Sequence, residues 1–137
     1  PGHVEHRQLS NNSLNVMAGC FLACTPGVNI KAKFGGLKAF FSGEGAFLLE
    51  ASGSGDLFFN SFGGIVKKEI NGEFIVDTGH VVAFDSSLNY SITGMGNFKS
   101  TMLSGEGLVM KFKGAGTLYL QTRNVSSVAS WLTPRLL

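Results

Sequence analysis

Ile75-Val76-Asp77-Thr78-Gly79 is the stretch of this chain that most resembles a catalytic motif. Two apolar residues before Asp-Thr-Gly is how an aspartic hydrolase presents a carboxylate, and that chemistry needs two carboxylates sharing one proton. The chain carries one Asp-Thr-Gly, followed by the bulky His80, so a homodimer would have to supply the second carboxylate. The plainer expectation is a turn, with Asp77 bonded to backbone and Gly79 at positive φ. Glu44 and Glu106 each stand between two glycines, in Ser42-Gly43-Glu44-Gly45 and Ser104-Gly105-Glu106-Gly107. The glycines free the backbone for a tight turn and leave the carboxylate pointing away from the core. Converging turns would make the pair a binding site for a cation or a basic partner, or an acid–base couple. Separate turns would make them plain solubilising residues.

Lys111 and Lys113, with Lys31 and Lys33, form the remaining candidate binding set. Lysines alternating along a strand beside Phe34 and Phe112 are suited to following single-stranded RNA. The two phenylalanines have the opposite parity, however, and should point inward, while outward lysines also guard strands against edge-to-edge pairing. The net charge of +2 is too small to imply a nucleic-acid partner by itself. Cys20 and Cys24, four apart in what reads as an extended segment, face one side about 13 Å apart. That exceeds disulfide reach and points to two small buried thiols in a reducing compartment. His3, His6 and His80 show no metal-ligand spacing, and no P-loop, Gly-x-Ser-x-Gly or Gly-x-Gly-x-x-Gly occurs. No metal, cofactor or catalytic residue is therefore assigned, and enzyme is the weaker class.

The elements that must position these residues read as β throughout. Val28-Asn29-Ile30-Lys31-Ala32-Lys33-Phe34 alternates apolar and polar, as do Leu108–Phe112 and Thr117–Gln121. Ala46–Leu49 and Leu57–Phe59 are unbroken apolar runs, which suits strands buried on both faces. Glycines recur every five to eight residues or so and predict many short strands. Asn71-Gly72 predicts a two-residue hairpin between Ile65–Ile70 and Glu73–Val76. The fold class expected is all-β, a sandwich or double-stranded β-helix of short antiparallel strands with a short C-terminal helix.

The pattern is also written twice. Gly19–Cys24 with Gly27–Phe34 corresponds to Gly79–Phe84 with Ser87–Ile92, Gly43 to Gly105, and Ser52–Phe59 to Lys113–Leu120, at offsets of 60 to 62 residues. A repeat of this length speaks of two like β-units about a pseudo-symmetry axis. The division expected is residues 1–62 and 63–124 as two β-repeats of one domain, then a tail over 125–137. In the tail Val125, Val128, Ala129 and Leu132 share a helical face that Pro134 ends, with Trp131 as the anchor. Trp131 and Arg135 leave room for peripheral membrane contact, although the segment is too short to bind alone. No apolar run approaches a membrane span. Pro1 in place of Met predicts a fragment or a cleaved chain.

Phe34-Gly35-Gly36-Leu37-Lys38, Phe41-Ser42-Gly43-Glu44-Gly45, Ile75–Phe84, Ser104–Leu108 and Tyr119-Leu120-Gln121-Thr122-Arg123, in this order and spacing, are the residues that carry a resemblance. The chain resembles the mitochondrial-biogenesis (altered inheritance of mitochondria) proteins and their uncharacterised prokaryotic homologues. That resemblance implies a pseudo-threefold β-fold similar to tryptophan RNA-binding attenuation protein, with no established catalytic residues to carry over. The resemblance implies, too, that a further N-terminal repeat is missing from this chain. It also implies a scaffolding role, in the cytoplasm for a prokaryotic member and in mitochondria for a eukaryotic one.

Charged residues make up 15% of the chain, well below the usual quarter. A small β-domain with so little charge buries surface in an assembly or in a larger protein. The function expected is a non-enzymatic module acting by homo-oligomeric assembly, with an unidentified protein partner allowed. A single-stranded RNA-binding module and, further off, an aspartic hydrolase are the alternatives.

Overall fold

A strand has two hydrogen-bonding edges, and this fold is organised by two strands that share one edge between two partners. The computed structural model describes residues 2–33, 48–94 and 108–122. Its strands are β1 (Gly2–Met17), β2 (Phe21–Cys24), β3 (Val28–Lys33), β4 (Leu48–Phe62), β5 (Ile65–Asp77), β6 (Val81–Asp85), β7 (Asn89–Gly94) and β8 (Leu108–Gln121). All pair antiparallel, in the order β2-β4-β1-β6-β8-β5, with β3 also on β4 and β7 also on β8. The all-β class read from the period-two pattern is the class adopted. Glu44, Glu106, Phe34 and the tail over 125–137 lie outside the described residues.

β4 gives one whole edge to β1, while its other edge is divided between β3, over residues 48–53, and β2, over 57–59. β8 does the same with β5, β7 and β6. The matching registers are close: Ile30 lies opposite Ala51 and Tyr90 opposite Phe112, while Ala23 lies opposite Phe58 and Ala83 opposite Tyr119. Asn29 and Asn89 likewise face Ser52 and Lys113. Over the matching stretch, Val4–Val16 of β1 against Ile65–Val76 of β5, β1 has one extra residue, accommodated at a bulge between Ser10 and Asn12, where Asn11 has φ 59°.

Several strands are longer than the glycine spacing suggests, and the reason is physical. Asn71-Gly72 is not a hairpin; both residues lie inside β5, opposite Ala115 and Gly114. Gly72 and Gly114 have φ of 124° and 120°, so the two strands deform together at a site without side chains and the ladder continues through it. Gly53, also expected as punctuation, lies inside β4 at φ 112°. There the turn joining β2 to β3 crosses the strand, and a side chain at Gly53 would collide with the Gly27 carbonyl. Ser54 N–H donates to that carbonyl at 3.1 Å, which holds turn and strand together. Gly79 keeps an ordinary φ within a 3-10 turn over Thr78–His80, contrary to the positive φ expected.

The core has two parts. One gathers Leu9, Leu14, Val16, Leu57, Phe59 and Tyr119, the other Leu48, Phe84, Met110, Phe112 and Leu118. Each part holds an edge-to-face ring pair, Phe59–Tyr119 in the first and Phe84–Phe112 in the second, at 5.2 and 4.9 Å between centroids. Leu57–Phe59 is not buried on both faces as its apolar run implied: Leu57 and Phe59 are enclosed, while Phe58 points the other way, half-covered by the His6 ring at 5.0 Å.

Gly53→Ala is expected to lower unfolding free energy by at least about 2 kcal/mol, since it adds a strained φ to a steric collision. Gly19→Ala, with nothing within 4 Å of the new methyl, should stay within about 0.5 kcal/mol. Denaturant titration of the two variants checks this.

Candidate interaction surface

The residues brought together most closely are ones that local sequence does not advertise. Arg7, on β1, donates through Nη2 to Asp85 Oδ1 at 2.7 Å and through Nη1 to the Tyr119 hydroxyl at 3.1 Å. The second Asp85 oxygen accepts the Thr117 N–H at 2.8 Å. Burial alone would depress the Arg7 pKa, but the bonds to Asp85 and Tyr119 outweigh it and the net direction is upward. The guanidinium thus ties β1 to β6 and β8 across the seam between the halves. Its partners lie 78 and 112 positions away in the chain, so no local motif could reveal them. Asp85 also has a counterpart in use: Thr25 accepts the Asp56 N–H through its hydroxyl at 2.9 Å, as Asp85 does for Thr117. One turn is held by an alcohol and the other by a carboxylate, and only the carboxylate recruits an arginine.

Lys111 and Lys113 lie on the face of β8 opposite buried Phe112, as their parity requires. Glu73 on β5 stands between them, at 3.1 Å from the Lys111 ammonium and 3.9 Å from that of Lys113. Lys33 faces Glu50 at 3.8 Å. Lys67 and Lys68 lie over the rings of Tyr119 and Phe74 at 5.9 and 5.1 Å. An array of this kind offers a polyanion much less than four open ammonium groups would.

Asp77 is extended and makes no side-chain cap on the 3-10 turn that follows. The same turn recurs at Ala18–Cys20, where Met17 stands in the place of Asp77. A carboxylate is therefore not what the turn needs in order to form. Behind it, the buried His80 donates from Nδ1 to the Gln121 carbonyl at 2.8 Å. The Gln121 side chain donates to the Gly79 carbonyl and accepts the Phe62 N–H. Gln121, which sequence reading passed over, thus staples this turn to the end of β4.

Cys20 lies in the first 3-10 turn rather than in a strand; Cys24 ends β2, and both are free and half-buried. Burial pushes the Cys20 thiol up to about 11. Among the described residues no group of three or more His, Cys, Asp or Glu side chains is placed to hold a metal ion. His6 and Asp56 form an exposed pair at 2.8 Å.

Exposed apolar side chains lie on several strands, Val4 on β1, Phe62 on β4 and Ile30 on β3 among them, and also at the two ends of the strand order. β5 is paired only by β8 among the described strands, and it exposes Val66 and Ile75 by 43% and 45%. β2, at the other end, exposes Leu22 by 47% and also Ala23. Phe21–Cys24 and Phe74–Val76 carry no charge, although Glu73 and Asp77 flank the second stretch on β5. The sequence profile of the family described as mitochondrial biogenesis AIM24 matches residues 1–123, which takes in every described strand. The chain belongs to the AIM24 family. Its relatives include an uncharacterized protein of Streptococcus pyogenes serotype M6, 33% identical over 135 residues. That alignment covers 96% of this chain and 54% of the relative, so the chain spans about half the relative's length. A crystal structure of a Streptococcus pyogenes protein superposes with a TM-score of 0.77 at 31% identity, over 98% of this chain and 60% of that one. The AIM24 fold seen here is thus shared with a solved structure, while the matched relative is itself uncharacterized. Among the described residues no helix is long and apolar enough to cross a membrane.

Two outcomes follow for this AIM24 chain. Asp85→Ala should cost about 2–3 kcal/mol, because it strands both the Arg7 guanidinium and the Thr117 N–H. Adding Arg7→Ala should cost less than the sum, which a double-mutant cycle of urea unfolding measures. For Cys20, the thiol titrates at 9.0 when unfolded and about 11 when folded. Its contribution is fully present below pH 9 and is lost as pH rises toward 11. Cys20→Ala should remove that alkaline decline, up to about 2 kcal/mol, in unfolding curves taken from pH 8 to 11.

Proposed function

We propose that this chain is a non-enzymatic β-module that works by assembly, using the edges of β5 and β2 as contact surfaces. The observation that carries this reading is the exposure of Ile75, Val66 and Leu22 on strands at the ends of the order, in a chain with only 15% charged residues. An unpaired strand edge offers backbone donors and acceptors to another strand, and apolar side chains on it add burial. The described surface supports assembly better than RNA binding, because Glu73 already engages Lys111 and Lys113. The hydrolase reading draws less support, since Met17 precedes the first 3-10 turn in the place where Asp77 precedes the second. The glutamates Glu44 and Glu106 stay candidates for binding a basic partner. For a bacterial member the setting of such a scaffold would be the cytoplasm, and for a eukaryotic one the mitochondrion.

Light scattering of the chain at about 100 μM should show a mass above that of a monomer, and Ile75→Lys should shift the population toward monomer. A charged residue on an edge blocks pairing without disturbing the core. A monomeric wild-type chain at that concentration would remove this reading. Tight RNA binding at physiological salt that Lys111→Ala and Lys113→Ala weaken would replace it with the RNA reading.

A further inference from the structure

The two halves of this chain already meet through one strand pairing, and each half of that pairing also occurs without its partner among the described strands. Within the chain β1 and β6 pair antiparallel, with Leu14 opposite Asp85, Asn15 opposite Phe84 and Val16 opposite Ala83. The registers on β4 and β8 show which residues stand in the same places elsewhere. Leu14 faces Ala51 on β4 as Phe74 faces Phe112 on β8, and Val16 faces Leu49 as Val76 faces Met110. Phe74, Ile75 and Val76 therefore hold on β5 the positions that Leu14, Asn15 and Val16 hold on β1. By the same comparison Ala23 and Cys24 on β2 match Ala83 and Phe84 on β6, and Thr25 matches Asp85.

Burial follows whether the pairing is made. Leu14, Asn15, Val16, Val82, Ala83 and Phe84 are all buried at the seam. Their counterparts on the other strands are less covered: Ile75 is 45% exposed, Leu22 is 47% exposed and Ala23 is exposed as well, while Phe74, Val76 and Cys24 are half-buried. β5 thus carries the β1 half of the interface and β2 the β6 half, at opposite ends of the strand order.

Building on the assembly reading, we infer that β5 of one copy pairs antiparallel with β2 of a second copy. The register sets Phe74 against Thr25, Ile75 against Cys24 and Val76 against Ala23. The occupant is a second copy of this chain, because the pairing continues an interface the chain already makes with itself. A contact between two different surfaces is heterologous, so each copy keeps one open edge and assembly proceeds head to tail into rings or filaments. The polar clamps of the internal seam are not reproduced. Arg7 and Asp85 give way to Lys68 and Thr25, and the hydrogen-bonded Ser13–Ser86 pair gives way to Glu73 and Pro26. Contact between copies is therefore weaker than the seam within one and depends on backbone pairing and apolar burial.

Cross-linking by single cysteines tests the register. In a background with Cys20→Ser and Cys24→Ser, copies bearing Ala23→Cys are mixed with copies bearing Val76→Cys and oxidised mildly. The expected result is a disulfide-linked dimer in the mixture and none from either variant alone. A second pairing, Ile75→Cys with native Cys24 and Cys20→Ser, should give a ladder of dimers and longer species, since each copy carries both partners. Neighbouring positions in an antiparallel ladder alternate between wide and close pairs, so the two designs together cover the geometry that a disulfide accepts. Circular dichroism establishes that each variant is folded. Dimers from Val76→Cys alone at the rate of the mixture would mean that β5 pairs with β5, and would overturn the head-to-tail register. Oligomers in light scattering with no cross-link in either design would place the contact elsewhere, overturning this inference while leaving the assembly reading intact. A wild-type chain that scatters as a monomer would end both.

Discussion

Everything in this fold depends on room along β4 and β8 for another strand's turn to cross. β2 and β3 share one edge of β4, so the three residues that join them must pass over the strand between Gly53 and Asp56. A side chain at Gly53 would meet the Gly27 carbonyl, and one at Gly55 would meet Thr25 and Val28. On β8 a side chain at Gly114 or Gly116 would meet Ser87 and Leu88 of the matching turn. Gly-x-Gly here is a gap left in a strand, and the strand runs on because its ladder with β1 or β5 stays intact on the other edge. Loss of that gap would separate β2 from β3 and with them the closing of each core cluster.

The seam between the halves adds the second constraint. Only three residue pairs join β1 to β6, which is little backbone bonding for the junction of two units. The Arg7–Asp85–Tyr119 network and the Ser13–Ser86 bond supplement it. A part-buried charge pair of this kind contributes through geometry and added hydrogen bonds more than through bare attraction. Asn15, buried at the same seam, leaves its Oδ1 without a hydrogen-bond partner among the described residues, whereas Ile75 stands in the matching place on β5. The seam is thus not optimised throughout, and its chemistry differs from that of the open edges that share its backbone geometry.

Membership of the AIM24 family, and a shared fold with a streptococcal structure at 31% identity, set the architecture in a wider group of proteins. The matched relatives continue well beyond the region this chain covers. Of the lysines that suggest a nucleic-acid partner, Lys111 and Lys113 lie against Glu73 and Lys33 against Glu50, while Lys31 is exposed on β3. Ile75 and Val66 on β5 and Leu22 on β2 are apolar side chains left open on strands at the ends of the order.

Period-two alternation was enough to establish the all-β class, and the order of the glycine, serine and aromatic motifs was enough to place the chain in its family. Parity along a strand is a local property, so the inward Phe112 and the outward Lys111 and Lys113 were legible from sequence. What glycine means was not. Asn71-Gly72 satisfies every local requirement of a hairpin, yet β8 lies alongside both flanking segments and a ladder of thirteen residue pairs keeps them in one strand. Likewise Arg7, Asp85 and Gln121 gained their roles only when residues far apart in the chain were brought within hydrogen-bond reach. Sequence determines which residues suit a pleated, half-buried strand, because that depends on neighbours one and two positions away. Which edge each strand offers, and which edges are left open, depends on partners that only the folded chain supplies.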